Sequence, residues 1–300
     1  MNHILIDGYN LAYRAFYAFN LTTSTGLHSG CIYGFLCSVR ALKKRFPEMP
    51  FTFVWDNEAT RKKVLFAEYK AQRSSVGIHS QISDLKDLLK GFAVRQAECP
   101  GEEADDVLAT LARQYETEGT VYIYSSDKDL LQLVKDGKVI VVRPKVGQRE
   151  EQFFDEAAVK QEFGVSPQNL SCYLTLRGDQ VDNVPGLPRV KSSFIAELSE
   201  KYGLPRNVYA HLSEETLTDF QVQAFREFEQ QSNLNWQIVQ LVDDLPLVLS
   251  EGQTDSEHVQ KFLDRYEIRK LSSSALTDLF GKESSFNSRV TQGITMPSLF

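Results

Sequence analysis

The 300-residue sequence has little of the sulfur and imidazole chemistry that many enzymes use. Its four cysteines form no CxxC pair, and its five histidines show neither HxH nor HExxH spacing. These absences argue against a zinc centre, and the cysteines are predicted to be reduced thiols in the core. The sequence also lacks a GxxxxGK[ST] loop, so a P-loop ATPase is not supported.

Long hydrophobic runs are absent as well. No run approaches the roughly 20 apolar residues that span a bilayer, and the N-terminus lacks a basic segment followed by a long hydrophobic one. Hydrophobic residues nevertheless make up 42% of the chain. That content suits a sizeable core in one large domain, or in a domain with a helical extension. We therefore expect a soluble, cytoplasmic monomer that makes no membrane contact.

Negative charge predominates overall, but basic residues are concentrated in one segment. The net charge is −7, yet residues 40–73 contain nine basic and four acidic residues, whereas residues 207–260 contain ten acids and only Arg226. Phosphate binding depends on local basic surface rather than on overall charge. The basic segment is thus a candidate phosphate-binding surface. For Lys43, Lys44 and Arg45 a solvated helix face is an equally good interpretation.

Nine carboxylates in five short clusters are the most informative feature that is present. Three clusters follow apolar runs, a fourth opens a predicted helix, and the fifth lies in a glycine-containing turn. No histidine or cysteine accompanies them, which again argues against zinc. The nine residues are Asp7, Asp56, Glu103, Asp105, Asp106, Asp127, Asp129, Asp179 and Asp182.

The apolar runs predict where these acids meet. HILIDG, FTFVWD and VYIYSSD alternate with helical stretches, one of them over residues 9–46, which is typical of buried parallel strands in an α/β fold. Ligands bind beyond the carboxyl ends of such strands, where Asp7, Asp56 and Asp127 stand. A helix from Glu103 adds acids at its favourable end. Because so many acids need cations to stay ionised, and oxygen ligands suit Mg²⁺, the sequence predicts a magnesium site.

Six motifs follow one another along the chain: DGYNLAYRAF (7–16), SGCIYGFL (29–36), EYKAQR (68–73), GEEADDVLATLA (101–112), SSDKDLLQLV (125–134) and LRGDQVDNVPG (176–186). Together they resemble the 5′-nuclease family, which comprises flap endonucleases and the 5′→3′ exonuclease domains of bacterial DNA polymerases. The resemblance covers about two-thirds of the chain. It implies a PIN-like α/β fold, with a parallel or mixed sheet flanked by helices and a helical arch. It also implies two Mg²⁺ ions and cleavage of DNA near the junction of a 5′ flap with duplex.

The resemblance further implies roles for individual residues. Lys70 matches the arch lysine that approaches the scissile phosphate, with Arg73 one turn on; Tyr69 would stack on a base, and Lys62 would contact phosphate. Arg14 is a further candidate phosphate contact, and capping a helix or pairing with an acid are equally good interpretations of it. Mg²⁺, or Mn²⁺ as a substitute, would activate water for in-line attack. The first metal site would comprise Asp7, Asp56, Glu103, Asp105, Asp106, Asp127 and Asp129, and the second, weaker site Asp127, Asp129, Asp179 and Asp182.

One stretch departs from the family pattern. Family members continue after the last motif with a GxPGxGPK hairpin, whose glycines approach duplex DNA and hold a potassium ion. Here Arg189 and Lys191 replace two of those glycines, and side chains at these positions impede close backbone approach. The change argues against the potassium site and predicts that both cations contact phosphate as point charges. A similarly altered hairpin occurs in the phage replication ribonuclease H branch of the family.

The predicted organisation has three parts. Residues 1–175 would form the PIN-like nuclease domain with its arch, residues 176–270 a helical duplex-binding region with an altered helix-hairpin-helix-type element, and residues 271–300 a C-terminal extension. The extension ends in Met296, Leu299 and Phe300 after a Ser-rich stretch, and resembles the tails that bind sliding clamps. A tail that packs back on its own domain is the alternative.

The predicted function is that of a Mg²⁺-dependent, structure-specific 5′ nuclease that removes 5′ flaps or RNA primers in DNA replication and repair. One alternative is a PIN-type ribonuclease acting on single-stranded RNA, although the turn with Asp179 and Asp182 has no obvious use there. Another is a non-catalytic DNA-junction binder, which would gain nothing from nine converging acids.

Overall fold

Seven β-strands form one mixed sheet in the computed structural model, which describes residues 1–57, 60–71, 77–144 and 151–280. The strands are β1 (His3–Asp7), β2 (Phe51–Val54), β3 (Arg95–Glu98), β4 (Val121–Tyr124), β5 (Val139–Arg143), β6 (Gln152–Phe154) and β7 (Val248–Glu251). Their order is β6-β5-β4-β1-β2-β3-β7, with the five central strands parallel and the two edge strands antiparallel. The predicted α/β class with a mixed sheet is therefore confirmed.

Helices cover both faces of this sheet. Those of the described residues are α1 (Gly8–Ala18), α2 (Gly30–Arg45), α3 (Arg61–Leu65), α4 (His79–Leu88), α5 (Ala104–Tyr115), α6 (Glu156–Phe163), α7 (Pro167–Arg177), α8 (Ser192–Tyr202), α9 (Pro205–Ala210), α10 (Asp219–Val239), α11 (Ser256–Arg265) and α12 (Ser273–Phe280). None of them is long and apolar enough to cross a membrane.

The alternation of side chains along β1 accounts for the two layers. Leu5 joins one buried cluster, with residues of α5, α7, α8 and α10, whereas Ile4 and Ile6 join a second, with residues of α1, α2, α4 and α11. All three side chains are fully buried, as expected of a central parallel strand that is covered on both faces.

The helix-like stretch predicted over residues 9–46 is two helices rather than one. The chain reverses between α1 and α2, so that Phe19 and Gly30 come into contact. A Cβ atom on Gly30 would lie 1.7 Å from the carbonyl oxygen of Phe19, hence only glycine permits this approach. The reversal packs α2 alongside α1 and leaves the start of α1 at the sheet edge.

The C-terminal part of the described chain returns to the sheet. β7 pairs with β3, and α11 and α12 contribute Val259, Leu263 and Phe280 to the same buried cluster as α1 and α2. The domain boundaries predicted at residues 175 and 270 did not anticipate that β7, α11 and α12 pack with the N-terminal part of the chain. The described residues of the predicted arch comprise α3, a series of turns over 66–71, and the start of α4, while residues 72–76 lie outside the description.

Candidate active site

Acids at the ends of neighbouring strands are held by backbone and hydroxyl donors. Asp7 ends β1 and caps α1; its Oδ1 accepts a hydrogen bond from the Asn10 backbone N–H at 2.9 Å, and its Oδ2 accepts one from Ser125 Oγ at 2.8 Å. Asp56 follows β2, and its Oδ1 accepts from the Ala104 backbone N–H at 2.6 Å. Because β1 and β2 are parallel neighbours, their carboxyl ends bring both acids to one edge.

Asp127 and the first turn of α5 complete this edge. Asp127 follows β4, on the other side of β1, and its Oδ1 accepts from the Asp129 backbone N–H at 2.9 Å. Glu103 is the N-cap of α5 and Asp105 lies in its first turn, where the helix dipole favours negative charge. Elements that are distant in sequence thus deliver acids to one place.

One cavity of about 740 Å³ opens at this edge. Five of the nine predicted acids line it: Asp7, Asp56, Glu103, Asp105 and Asp127. The tertiary structure therefore brings together side chains that span 121 positions of the sequence, and it does so through parallel strand ends and one helix N-terminus.

Several of these acids resist ionisation. Burial and the nearby charge of Asp56 raise the pKa of Asp7 to about 7. Burial and the charge of Asp127 raise the pKa of Asp105 well above its usual value. They also raise the pKa of Asp129 to about 7. Acids in such surroundings become fully charged only when cations balance them.

The donor set fits a hard divalent cation in chemistry, since it consists of carboxylate oxygens. In the described part of the chain no three Asp, Glu, His or Cys side chains are grouped closely enough to hold an ion as they stand. A bound ion would therefore have to draw the cavity carboxylates inward.

Of the four acids of the predicted second site, Asp127 lines this cavity, whereas Asp129, Asp179 and Asp182 are not part of its lining. Asp182 is buried and contributes to the raised pKa of Asp129. Asp179 instead pairs with Lys128. Burial opposes ionisation of Asp179, but the bonded ammonium group of Lys128 outweighs it and lowers the pKa of this carboxyl.

The structure places two predicted site residues, Lys62 and Asp106, against each other and outside the cavity lining. Lys62 was expected to contact phosphate, but it is 2% exposed and its Nζ lies 3.0 Å from Asp106 Oδ2. Asp106 was expected to bind metal, but it is fully buried, and its Oδ1 accepts from the Val242 backbone N–H at 2.8 Å. The two side chains form an ion pair inside the protein, in which Asp106 Oδ2 accepts no hydrogen bond, and neither side chain lines the cavity.

Tyr69, for which base stacking was predicted, is buried in this structure. The ring is 3% exposed and packs against Val184 and Ile238, while its hydroxyl donates to Glu103 Oε2 at 3.1 Å. Its neighbour Lys70 does line the cavity, and Lys70 Nζ donates to the same Glu103 oxygen at 2.9 Å. The prediction for Arg73 falls outside the described residues.

The remaining predicted substrate contacts lie away from the cavity. Arg14 is half-buried on α1, near Tyr124. Arg189 and Lys191 are exposed between α7 and α8. Arg189 has φ +59°, the left-handed conformation that glycine adopts readily, and its guanidinium lies 5.1 Å from the ring centre of Phe220. The altered helix-hairpin-helix-type element remains a prediction.

Sequence analysis missed other residues of the cavity wall. Tyr9, Tyr13 and Tyr17 lie along α1 at a spacing of four residues, their consecutive ring centres 6.3 and 6.4 Å apart, and all three line the cavity. Lys63 and His79 line it too, although no histidine had been assigned chemistry. The i, i+4, i+8 spacing of the tyrosines was visible in the sequence and predicts one helix face.

Known proteins resemble this chain in sequence and in fold. Residues 2–164 match the family model described as "5′-3′ exonuclease, N-terminal resolvase-like domain". A 5′-3′ exonuclease of Aquifex aeolicus is 37% identical over 277 residues, which are 89% of this chain and 92% of that protein. DNA polymerase I of Pseudomonas aeruginosa is 40% identical over 192 residues, 62% of this chain and 20% of the polymerase. A structure of the bacteriophage T5 flap endonuclease with DNA and metal ions has a TM-score of 0.64 and 18% identity, covering 93% of this chain and 99% of that one.

The similarity to named 5′-3′ exonucleases identifies the chain as a hydrolytic nuclease of the α/β class, and the acid-lined cavity is its candidate active site. The chain belongs to the 5′-3′ exonuclease family, and it is a 5′ nuclease. It spans nearly the whole Aquifex exonuclease but only a fifth of the Pseudomonas polymerase.

Proposed function

We propose that this chain is a divalent-metal-dependent, structure-specific nuclease that removes 5′ flaps or RNA primers where they join duplex DNA. The observation that carries the proposal is the convergence of five carboxylates with Lys63 and Lys70 around one cavity. Such a site can bind a phosphodiester together with cations, without a protein nucleophile. The T5 flap endonuclease, of similar fold, has been crystallised with DNA and metal ions.

The cavity acids Asp7, Asp56, Asp105 and Asp127 would hold the cations, Mg²⁺ by preference and Mn²⁺ as a substitute. When bound, the cations would supply an activated water and neutralise charge on the phosphodiester. We propose two ions, one of which would lie beside Asp129 and Asp182.

The chain's own residues orient and neutralise the substrate. Lys70 lines the cavity, where its charge can stabilise a phosphate oxygen as negative charge develops. Glu103 holds Lys70 in place at 2.9 Å. Asp7 is held by Ser125 and Asn10, so it keeps its orientation at the strand end.

Duplex binding would use surfaces further from the cavity. Arg189 and Lys191 are exposed on the turn that follows the last acid cluster, where they can contact phosphates as point charges. The region over residues 176–270 is proposed as the duplex-binding part of the chain, apart from β7 and α11, which belong to the sheet layers.

A single assay separates the candidate activities. The protein is incubated with a 5′-flap DNA, an RNA primer on DNA, or free single-stranded RNA, each with Mg²⁺ or with EDTA, and Asp127→Asn serves as the matched inactive control. We expect Mg²⁺-dependent cleavage of the first two substrates at the junction. Cleavage of free RNA alone would indicate a PIN-type ribonuclease, and binding without cleavage would indicate a junction-binding protein.

The C-terminal residues 281–300 lie outside the described residues. From their sequence we propose that residues 296–300 tether the nuclease to a replication clamp, which would raise its effective concentration at junctions. Deleting them should leave cleavage of short flap substrates unchanged and abolish stimulation by the cognate clamp. Loss of thermal stability and basal activity in the deletion variant would instead assign the tail to the fold.

A further inference from the structure

Lys62 is buried on the short helix α3, at the base of the predicted arch. The side chain is 3% exposed; its Nζ lies 3.0 Å from Asp106 Oδ2 and 3.7 Å from Glu103 Oε2. Burial disfavours the charged amine, but the charges of Asp106 and Glu103 outweigh it and raise the pKa of Lys62. The ammonium group is thus a fixed internal cation, enclosed by two carboxylates of the α5 N-terminus.

Asp106 faces this cation and not the cavity. It is fully buried, and its other carboxylate oxygen accepts from the Val242 backbone N–H at 2.8 Å. Its neighbour Asp105 lines the cavity. Successive helical residues are about 100° apart around the helix axis, so adjacent acids on α5 meet different surroundings.

Glu103 connects the buried pair with the cavity. Its Oε2 accepts from Lys70 Nζ at 2.9 Å and from the Tyr69 hydroxyl at 3.1 Å, and it also lies near Lys62. The two donors and the nearby ammonium group of Lys62 all come from residues 62–70. A movement of α3 would therefore change the position of Glu103 and of Lys70 together.

We propose that Lys62 and Asp106 form a positioning pair, which fastens α3 to α5 and to the backbone at Val242 and so holds Glu103 and Lys70 at the cavity. In this role Lys62 does not contact phosphate and Asp106 does not bind metal. The kinetic part of the proposal rests on the proposed nuclease function, whereas the parts concerning stability and metal binding do not.

Charge and packing give distinct expectations for the variants. Asp106→Asn leaves the buried Lys62 with only Glu103, and an uncompensated buried charge is strongly destabilising, so the Tm should fall. The double variant Lys62→Met/Asp106→Leu replaces the pair by apolar groups, which is often neutral for stability, so most of the Tm should return. Its rate should stay low, by roughly ten- to a hundredfold, because small displacements of catalytic groups have effects of this size.

The experiment compares Asp105→Asn, Asp106→Asn, the double variant and Lys62→Arg. Three quantities are measured for the full chain: Tm, Mn²⁺ affinity by calorimetric titration without DNA, and the single-turnover rate at saturating flap DNA. We expect Asp105→Asn to lose Mn²⁺ affinity by at least tenfold, while the Asp106 variants keep it. Lys62→Arg should retain most of the saturated rate, since it preserves the buried charge.

Two results would overturn the proposal. If Asp106→Asn or the double variant lost Mn²⁺ affinity as Asp105→Asn does, Asp106 would be a metal ligand. If the double variant had a weakened flap affinity but an unchanged saturated rate, Lys62 would be a substrate contact. Should the double variant not fold, the Asp106→Asn titration and the Lys62→Arg rate decide the same two points. If the wild-type protein cut no flap at all, the proposed function would fail, but Tm and Mn²⁺ affinity would still test the pair.

Discussion

Two sets of buried acids lie side by side in this nuclease and differ in what balances their charge. Glu103, Asp106 and Asp179 are paired with lysines of the chain itself. Asp7, Asp105 and Asp129 make no ion pair with a lysine or arginine of the described residues, and burial raises the pKa of all three. The protein therefore neutralises one set internally and leaves the other set for cations from solution.

This difference distinguishes acids that have a structural role from acids for which a catalytic role is proposed. The paired acids position helices and the arch base, because removing either member of a buried pair leaves a charge without a partner. In the second set, here called the open acids (Asp7, Asp105 and Asp129), the nearby carboxylates repel one another. A bound divalent ion would reduce this repulsion. Replacing members of each set should consequently affect different measured quantities.

The largest effect is expected from Asp127→Asn. Asp127 lines the cavity and contributes to the raised pKa of Asp105 and Asp129, so it lies between the open acids. Cleavage of flap DNA should be abolished, while flap binding measured by anisotropy should persist because basic residues elsewhere supply it. A near wild-type cleavage rate at equal Mg²⁺ would contradict the role of the open acids.

Lys70→Ala should have the next largest effect. The single-turnover rate should fall by a factor on the order of 10² to 10³, the range found when one charge-stabilising donor is removed. Lys70→Arg, which keeps the charge, is the matched control and should lose less. If Lys70→Ala changed only flap affinity and left the saturated rate intact, Lys70 would belong with the binding surface.

The open acids should also make stability depend on pH and Mg²⁺. The folded-state pKa values of Asp7 and Asp129 are raised to about 7, from about 3.9 in an unfolded chain. The stability that protonation confers is therefore complete below about pH 4 and is lost as the pH rises through 7. In EDTA the Tm should fall between pH 5.5 and 8, and added Mg²⁺ should raise it more at pH 8 than at pH 5.5.

This prediction has its control in Asp7→Asn, which removes one titrating group and should flatten the decline of Tm with pH. Scanning fluorimetry in matched buffers measures both effects. A Tm that rose across the same pH window in EDTA would show that the open acids are not strained in the metal-free protein.

The smallest effect is expected at a paired acid far from the cavity. Glu200 on α8 accepts from the backbone N–H and the hydroxyl of Ser166, both at 2.8 Å, and pairs with Lys160 at 2.9 Å. Burial opposes ionisation of this carboxyl, but the hydrogen bonds from Ser166, Asn169 and Lys160 together outweigh it and lower its pKa to about 2. Glu200→Gln should reduce the free energy of unfolding by about 1 kcal/mol, measured by urea titration, with unchanged cleavage. Lost cleavage would mean that pairing alone does not distinguish structural from catalytic acids.

Much of the site could be predicted from local patterns. An apolar run followed by an aspartate places a carboxylate at the end of a buried strand, and this placed Asp7, Asp56 and Asp127 at one edge. β3 could not be predicted in this way. Its sequence, Arg95-Gln-Ala-Glu98, is polar, yet Arg95 and Gln96 are buried, because Glu251 on β7 and the indole N–H of Trp55 satisfy them.

The sequence by itself determined the α/β class, the acids at the strand ends and the family, since each depends on residues that are close together in the chain. Only the tertiary structure decided that Asp105 lines the cavity while Asp106 pairs with Lys62, and that Tyr69 is buried against Val184 and Ile238. These contacts join residues 44 to 169 positions apart. No local pattern encodes them, because the partner of a buried charge is set by how the helices pack around it.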